Sequence, residues 1–346
     1  RRERSRHLRR ERELTKYRDL PAVTQDGIEI TLHANIDLPQ EIELAKERGA
    51  RGIGMFRTEF LFLGYRLPSE DEQYQAYTQL VEAMSPDPVV IRTVDLGGDK
   101  LTHAVDSLPE ANPYLGWRGI RICLDTPEMF RTQLRAILRA SALGDARIML
   151  PMITNLEEVH RARAFIAETE AELEREGVPY RRGCQVGIMI EVPSAAITCE
   201  QLAGEVDFFS LGTNDLVQYT LAVDRGTASV ANLYDPLHPA VLRLICQVAQ
   251  CAESASIPAS ICGEMASDPV VAPILLGLGI NSLSVSTGAI PAVKEVVRGI
   301  ELARAREIAK AALQLSSGAQ VRKLVERELA QALAFVLPAR REGEIR

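Results

Sequence analysis

The stretch from Gln185 to Arg225, QVGIMIEVPSAAITCEQLAGEVDFFSLGTNDLVQYTLAVDR, constrains the fold of this chain more than any other. It holds two short apolar runs, QVGIMIEV and VDFFSLG, each ending abruptly in polar residues, with a helix-like segment between them. Their length, β-branching and aromatic content are those of parallel strands buried on both faces. Glu191 closes the first run, and Asn214 and Asp215 stand just beyond the second. The two carboxylates lie 24 positions apart, close to the roughly 30 residues of one βα unit in an eight-stranded parallel barrel. Acids at the same end of neighbouring parallel strands can share one hard divalent cation.

The same alternation runs through the rest of the chain. EITLHANI, RGIGMFR, PVVIRTVDL, RIMLPMI, ASICGEM and NSLSVS read as the remaining strands. Helical patterns separate them: PQEIELAKERGA, Asp71 to Met84, Thr126 to Leu143, Asn155 to Gly177, Pro239 to Ala252, Asp268 to Gly277, and a closing helix from Ala289 to Leu315. LGWRGIRICL adds a short helix, and Asn155 with Glu158 forms a capping-box pattern. Eight strands alternating with helices predict an α/β fold, a (β/α)8 TIM barrel over residues 25–315, with its active site at the C-terminal ends of the strands. Residues 1–24, arginine-rich with interspersed acids, predict a solvated linker helix ended by Pro21, followed by a hairpin-like piece at Asp26-Gly27. Residues 316–346 predict an extra amphipathic helix from Val321 to Leu337 and a tail.

Composition narrows the function. The net charge of −7 argues against a nucleic-acid partner. No apolar run reaches membrane-spanning length, and the polar start does not resemble a signal peptide. Six cysteines without a CxxC pair suit buried thiols in a reducing compartment, so the expected location is cytoplasmic.

Placed on the barrel register, the unusual residues cluster. Arg57 follows strand two, Arg92 sits in the last turn of strand three, Glu191 ends strand five, Asp215 follows strand six, and Cys262 lies near the end of strand seven. Charges inside or just after apolar runs are costly unless paired or functional. Arg57, Arg92 and Arg225, with Arg118 as a fourth, are what a phosphorylated, carboxylated small substrate requires beside a metal. Mg2+ takes one or two carboxylates and fills its other positions with substrate oxygens and water. The alternative is that these arginines form structural salt bridges with Glu59, Asp95 and Asp99. Cys262 reads equally as a small buried hydrophobe or as a thiol that moves a proton. The glycine-rich loop Asp95 to Lys100 lacks Walker spacing and is either a close approach to phosphate or a plain turn. His33, His103, His160 and His238 show no metal-ligand spacing and read as structural or exposed.

IGMFRTEFLF, VIRTVDLGGDK, NPYLGWRGIRI, IMLPMI, GIMIEVPSAA, VDFFSLGTNDLVQYTLAVDR and ICGEMASDP occur in this order. Together they resemble the phosphoenolpyruvate-binding C-terminal domain of enzyme I, the phosphoenolpyruvate–protein phosphotransferase of the bacterial sugar phosphotransferase system, which has a nitrogen-branch paralogue. The resemblance implies that Glu191 and Asp215 hold Mg2+, that Arg57, Arg92 and Arg225 grip the phosphate, and that Arg118 and Asn214 also contact phosphoenolpyruvate. It implies that Cys262 protonates the enolpyruvate carbon, giving pyruvate, and that two copies pair as a homodimer. The acceptor would be a histidine on a separate phosphohistidine domain, which serves a small histidine-containing phosphocarrier protein. No GGxxSHxAI-like motif of that domain occurs here; the stretch from Gly97 to Ala104 is one residue too long and lies in the strand-three loop, so His103 is not assigned as acceptor. Full transfer therefore requires a second domain. Pyruvate phosphate dikinase and phosphoenolpyruvate synthase share this barrel, and a non-catalytic phosphoenolpyruvate-sensing dimerisation module is a third reading.

Overall fold

In the computed structural model, which describes residues 17–97 and 110–330, eight strands close into a barrel in sequence order. They are β1 (Thr31–Ile36), β2 (Ile53–Phe56), β3 (Val89–Arg92), β4 (Ala146–Leu150), β5 (Val186–Ile190), β6 (Phe208–Leu211), β7 (Ala259–Ile261) and β8 (Ser282–Ser286). Every ladder is parallel, and β8 pairs with β1 to complete the ring. All eight predicted runs form strands. In β2, β3, β5 and β6 every residue is buried, because the lumen covers one face of the wall and helices the other. That double burial is why the runs are apolar without alternation.

The two faces of the wall belong to different packing units. Outward residues such as Ile53, Ile91, Ile148 and Ile188 join the large core beneath the helices. Met55, Val90, Met149, Met189 and Phe208, from the five consecutive strands β2 to β6, and Cys262, one residue past the end of β7, form a separate cluster that faces the lumen. Gly187 makes room there: a Cβ on it would lie 2.4 Å from the Phe208 ring.

Caps fix the outer helices. Ser69 and Glu72 form a reciprocal capping box on the helix Glu70–Met84, and Asn155 and Glu158 do the same for Leu156–Glu176. Gly177 ends the latter in the left-handed conformation (φ 68°). Between them, the helix Pro127–Ser141 presents Arg135 and Arg139 to both neighbours. Arg135 reaches Glu70 and Glu176 at 2.6 Å each, and Arg139 reaches Glu70 at 2.6 Å.

The closing segment departs from the predicted single helix. It is two helices, Ile290–Arg298 and Leu302–Ala312, broken after Gly299. The cause lies at the other end of the chain. The carboxylate of Asp26 accepts from the N–H groups of Leu302 (2.9 Å) and Ala303 (3.0 Å), capping a new helix start, while Gln25 N–H donates to the Ile300 carbonyl. Asp26 itself sits in the expected hairpin-like piece, where Val23 bridges Glu29 and Gly27 has φ 83°.

Of the predicted linker helix, residues 1–16 lie outside the described residues, and Tyr17 to Asp19 form a turn instead of helix. Contacts to the helix Ile290–Arg298 hold this segment in a non-helical path: Lys294 Nζ donates to the Arg18 carbonyl, and Arg298 to that of Pro21. The C-terminal helix spans Gly318–Glu328 and is capped by Ser317; residues 331–346 lie outside the described residues. Among the described residues no helix is long and apolar enough to cross a membrane.

Candidate active site at the C-terminal mouth of the barrel

The C-terminal ends of the strands open into a cleft of about 800 Å³. Arg57, Arg92, Arg118, Glu191, Asn214, Asp215, Arg225 and Cys262 all line it. Four of them, Arg92, Arg118, Glu191 and Asp215, converge in a buried network; the other four stand around it.

The network starts where β3 ends. Arg92, its last residue, reaches Glu59 with Nη2 (2.7 Å) and Asp95 with Nη1 (2.8 Å). Asp95 is held from the other side by Arg118, whose Nε and Nη2 donate at 3.1 and 2.8 Å. Arg118 Nη2 also reaches Asp215 at 3.1 Å, and its Nη1 donates to the Tyr219 hydroxyl at 3.2 Å. Backbone geometry sets this register: Gly97 bridges Arg118, and Gly119 adopts φ 60° and ψ −131°, a combination open only to glycine. A Cβ there would lie 2.9 Å from the Met152 side chain. Met152 is itself left-handed (φ 59°), which aims its N–H at Glu191 Oε1, 2.7 Å away. Gly212, after β6, leaves space for that carboxylate: a Cβ would meet Glu191 Oε2 at 2.8 Å.

Charge in the network is unbalanced. Glu59, Asp95, Glu191 and Asp215 stand against the guanidinium groups of Arg92 and Arg118, an excess of two negative charges. Burial and then the charges of Asp95 and Asp215 hold the Glu191 carboxyl well above the usual carboxylate range, although Arg92 and Arg118 oppose them. Burial works against the charge of both arginines as well, but their acidic partners overcome it and hold their pKa values above the ordinary range. Asp95, Glu191 and Asp215 each offer a carboxylate oxygen, all within 4.8 Å of one another. Asp215 Oδ1 is buried without a hydrogen-bond partner. An all-oxygen donor set with a two-charge deficit fits a hard divalent cation, and contains neither His nor Cys for a softer one.

The surrounding residues are differently placed. Arg57, partly exposed, pairs with Asp37 at 2.7 Å. Arg225 lies exposed on the rim, its backbone N–H donating to Gln218 Oε1. Asn214, in the first turn of the helix Thr213–Leu221, accepts from the Glu264 N–H at 3.0 Å. Cys262 is 2% exposed and its thiol donates to the Leu211 carbonyl at 3.5 Å. Burial pushes the thiol up to about 11, against the opposing effects of Ser210, Arg92 and Arg57.

The alternative of structural ion pairs is realised for Glu59 and Asp95, so Arg92 and Arg118 are both paired and buried while lining the cleft. Asp99 and His103 lie outside the described residues, as does the second half of the glycine-rich loop, residues 98–100. Asp95, which the sequence suggests as a salt-bridge partner and as the start of the glycine-rich loop, joins Glu191 and Asp215 as a third carboxylate; its signal is an acid just past a strand end at the mouth the other two share. Tyr219 was not singled out, since nothing local links it to Arg118, 101 residues away. His238 caps a helix through Nδ1, and His160 lies 3.6 Å from Glu205 on the surface.

The fold and this mouth define a parallel (β/α)8 barrel with a buried, arginine-braced acidic centre. The chain belongs to the family of PEP-utilising enzymes: residues 11–302 match the model of their PEP-binding domain. It is 47% identical over 315 residues to a phosphoenolpyruvate-protein phosphotransferase of Haemophilus influenzae, covering 91% of this chain and 55% of that protein. Proteins of the same name from Staphylococcus carnosus (44% over 315 residues, 91% and 55%) and Geobacillus stearothermophilus (46% over 311 residues, 90% and 54%) are similarly close. The chain thus spans about half the length of the curated relatives it matches.

Proposed function

We propose that this mouth binds phosphoenolpyruvate and Mg2+ and that the chain catalyses phosphoryl transfer from phosphoenolpyruvate to a histidine of a separate domain, leaving pyruvate. The observation that carries the reading is the buried ladder Arg92–Asp95–Arg118–Asp215 beside Glu191, with Cys262 in the lumen below it. Glu191 and Asp215 hold the cation, with Asp95 as neighbouring charge. The cation supplies positive charge that the network lacks and polarises phosphoryl oxygens. Arg92 and Arg118 are already oriented by carboxylates, so they present fixed forks to phosphate at little entropic cost. Arg57 and Arg225 close on the phosphate from the rim, and Asn214 contacts the substrate from the helix N-terminus, whose dipole favours anions. Once the phosphoryl group has left, Cys262 gives its proton to the terminal carbon of the enolate. A thiol held near 11 is fully protonated at neutral pH, as an acid must be.

The relatives' names support a phosphotransferase over a dikinase or synthase. In this reading residues 25–315 are the phosphoenolpyruvate-binding barrel and residues 1–24 the connection to a phosphohistidine domain. Residues 316–346 are a C-terminal helix and tail. The phosphoryl group passes to a histidine-containing phosphocarrier protein in the cytoplasm, and the barrel pairs as a homodimer. The test is reconstitution: the chain, Mg2+ and phosphoenolpyruvate are mixed with the folded phosphohistidine domain of a relative. Pyruvate and phosphohistidine formed in equal amounts support the proposal; neither product, with both domains folded, refutes it.

A further inference from the structure

We propose that Ser210 is a positioning residue for Cys262, its hydroxyl donating a hydrogen bond to the sulfur as the thiol gives up its proton. The inference rests on the reading of Cys262 as the proton donor. Ser210 lies on β6 and is fully buried. In the ladders it pairs with Met189 on β5 and Ser260 on β7, which places its side chain on the lumen side with Met189. Its apolar lumen neighbours come from the cluster of Met55, Val90, Met149, Met189 and Phe208. Ser210 Oγ has no hydrogen-bond partner there, so an idle hydroxyl would only destabilise the barrel.

Cys262 stands at the adjacent strand end. Its N–H donates to the Leu211 carbonyl at 3.0 Å, and its thiol donates to the same oxygen. Ser210 pairs with Ser260, which lies two residues before Cys262 and on the same face of the wall, so the hydroxyl and the thiol face the same lumen. A thiol sulfur is a weak acceptor, and in the resting state the Ser210 hydroxyl stays unpaired. When the proton leaves, the S–H bond breaks as a C–H bond forms on the enolate, and the electron pair stays on sulfur. That thiolate is buried and feels the charge of Glu191 from the end of β5, with Arg92 from β3 and Arg57 after β2 as the opposing cations. Among these groups Ser210 is the uncharged donor without another partner. Its own O–H bond stays intact, and the sulfur regains a proton from water after pyruvate departs.

The test reads the thiol directly in the full chain. Cys262 is alkylated with iodoacetamide between about pH 7.5 and 9.5, and its peptide is followed by mass spectrometry in wild type, Ser210→Ala and Ser210→Thr. A hydrogen bond to a charged group shifts a pKa by roughly one to two units. One unit means about tenfold less thiolate, partly offset by its greater nucleophilicity, so the Ser210→Ala rate should fall about three- to fourfold or more. Ser210→Thr should keep the wild-type rate. With the phosphohistidine domain present, Ser210→Ala should lower kcat for pyruvate formation and leave KM unchanged. Wild-type alkylation and kcat in Ser210→Ala, or an equal loss in Ser210→Thr, would overturn the inference while leaving phosphoenolpyruvate binding intact. A slowed alkylation in a protein that does not bind phosphoenolpyruvate would support the contact and overturn the reading of the site instead.

Discussion

Replacing Asp95 by asparagine should unsettle the mouth without changing its shape. Asp95 accepts two charge-assisted hydrogen bonds from Arg118 and forms an ion pair with Arg92, and its side chain is 2% exposed. Asparagine keeps one acceptor oxygen and turns an NH2 group towards guanidinium donors. Removing one partner of a buried ion pair costs about 3–5 kcal/mol when the other charge is stranded. Here neither arginine is stranded, because Arg92 keeps Glu59 and Arg118 keeps Asp215. The expected loss is therefore smaller, about 2–4 kcal/mol, close to that of one or two hydrogen bonds to charged groups. Urea denaturation of Asp95→Asn, with the slope unchanged, should show that loss. Titration calorimetry should show weaker phosphoenolpyruvate binding, because the forks are no longer held for the phosphate and the charge deficit that draws a cation is halved. A stability within about 0.5 kcal/mol of wild type, the range of inconsequential surface changes, would refute the argument that Asp95 braces both arginines.

Cys262→Ala should bind phosphoenolpyruvate with little change, since a neutral thiol contributes no charge. With the phosphohistidine domain it should release enolpyruvate that ketonises in solution, seen as slower turnover and lost stereospecificity at the methyl carbon by isotope labelling. Gly187→Ala should cost about 1–3 kcal/mol in urea denaturation by overpacking the lumen, since its methyl would meet three Phe208 ring atoms at 2.4–2.5 Å. Adding Phe208→Leu should recover most of that loss. Asp26 has its pKa lowered to about 2 by the Thr24 hydroxyl and then by the Leu302 and Ala303 N–H groups. Its folded value lies below the ordinary 3.8, so its contribution is complete above that value and is lost as pH falls through about 2. Amide exchange protection at the start of the helix Leu302–Ala312 should fall over that window in wild type, and be low at every pH in Asp26→Ala.

The barrel was legible because parallel strands covered on both faces must be apolar throughout, and few other elements write such short, sharply bounded runs. Arg92, Glu191 and Asp215 stood out for a related reason: a charge at the end of such a run needs an explanation, and the strand direction puts all of them at one mouth. Local signals fixed the helix Leu156–Glu176 at both ends, because its capping residues are its own neighbours in sequence. They failed for the closing segment, whose break is enforced by Asp26, 276 positions from Leu302. They failed likewise for the site's internal wiring. That Asp95 joins two arginines, or that Tyr219 meets Arg118, depends on how loops fold back over the mouth, and the left-handed turns at Gly119 and Met152 leave no periodic trace. Ser210 gave no signal either, because a serine inside a strand reads as ordinary until its lumen neighbours are known.

The central claim is that the acidic centre holds a divalent cation through which phosphoenolpyruvate is bound. Titration calorimetry of phosphoenolpyruvate into wild type, Glu191→Ala and Asp215→Ala, each with and without Mg2+, tests it most directly. Mg2+ takes only one or two protein carboxylates, so the loss of either one here should remove Mg2+-dependent binding. Wild type should bind phosphoenolpyruvate far more tightly with Mg2+ than without. Wild-type affinity and wild-type metal dependence in either variant, or binding to wild type that ignores Mg2+ altogether, would contradict the account.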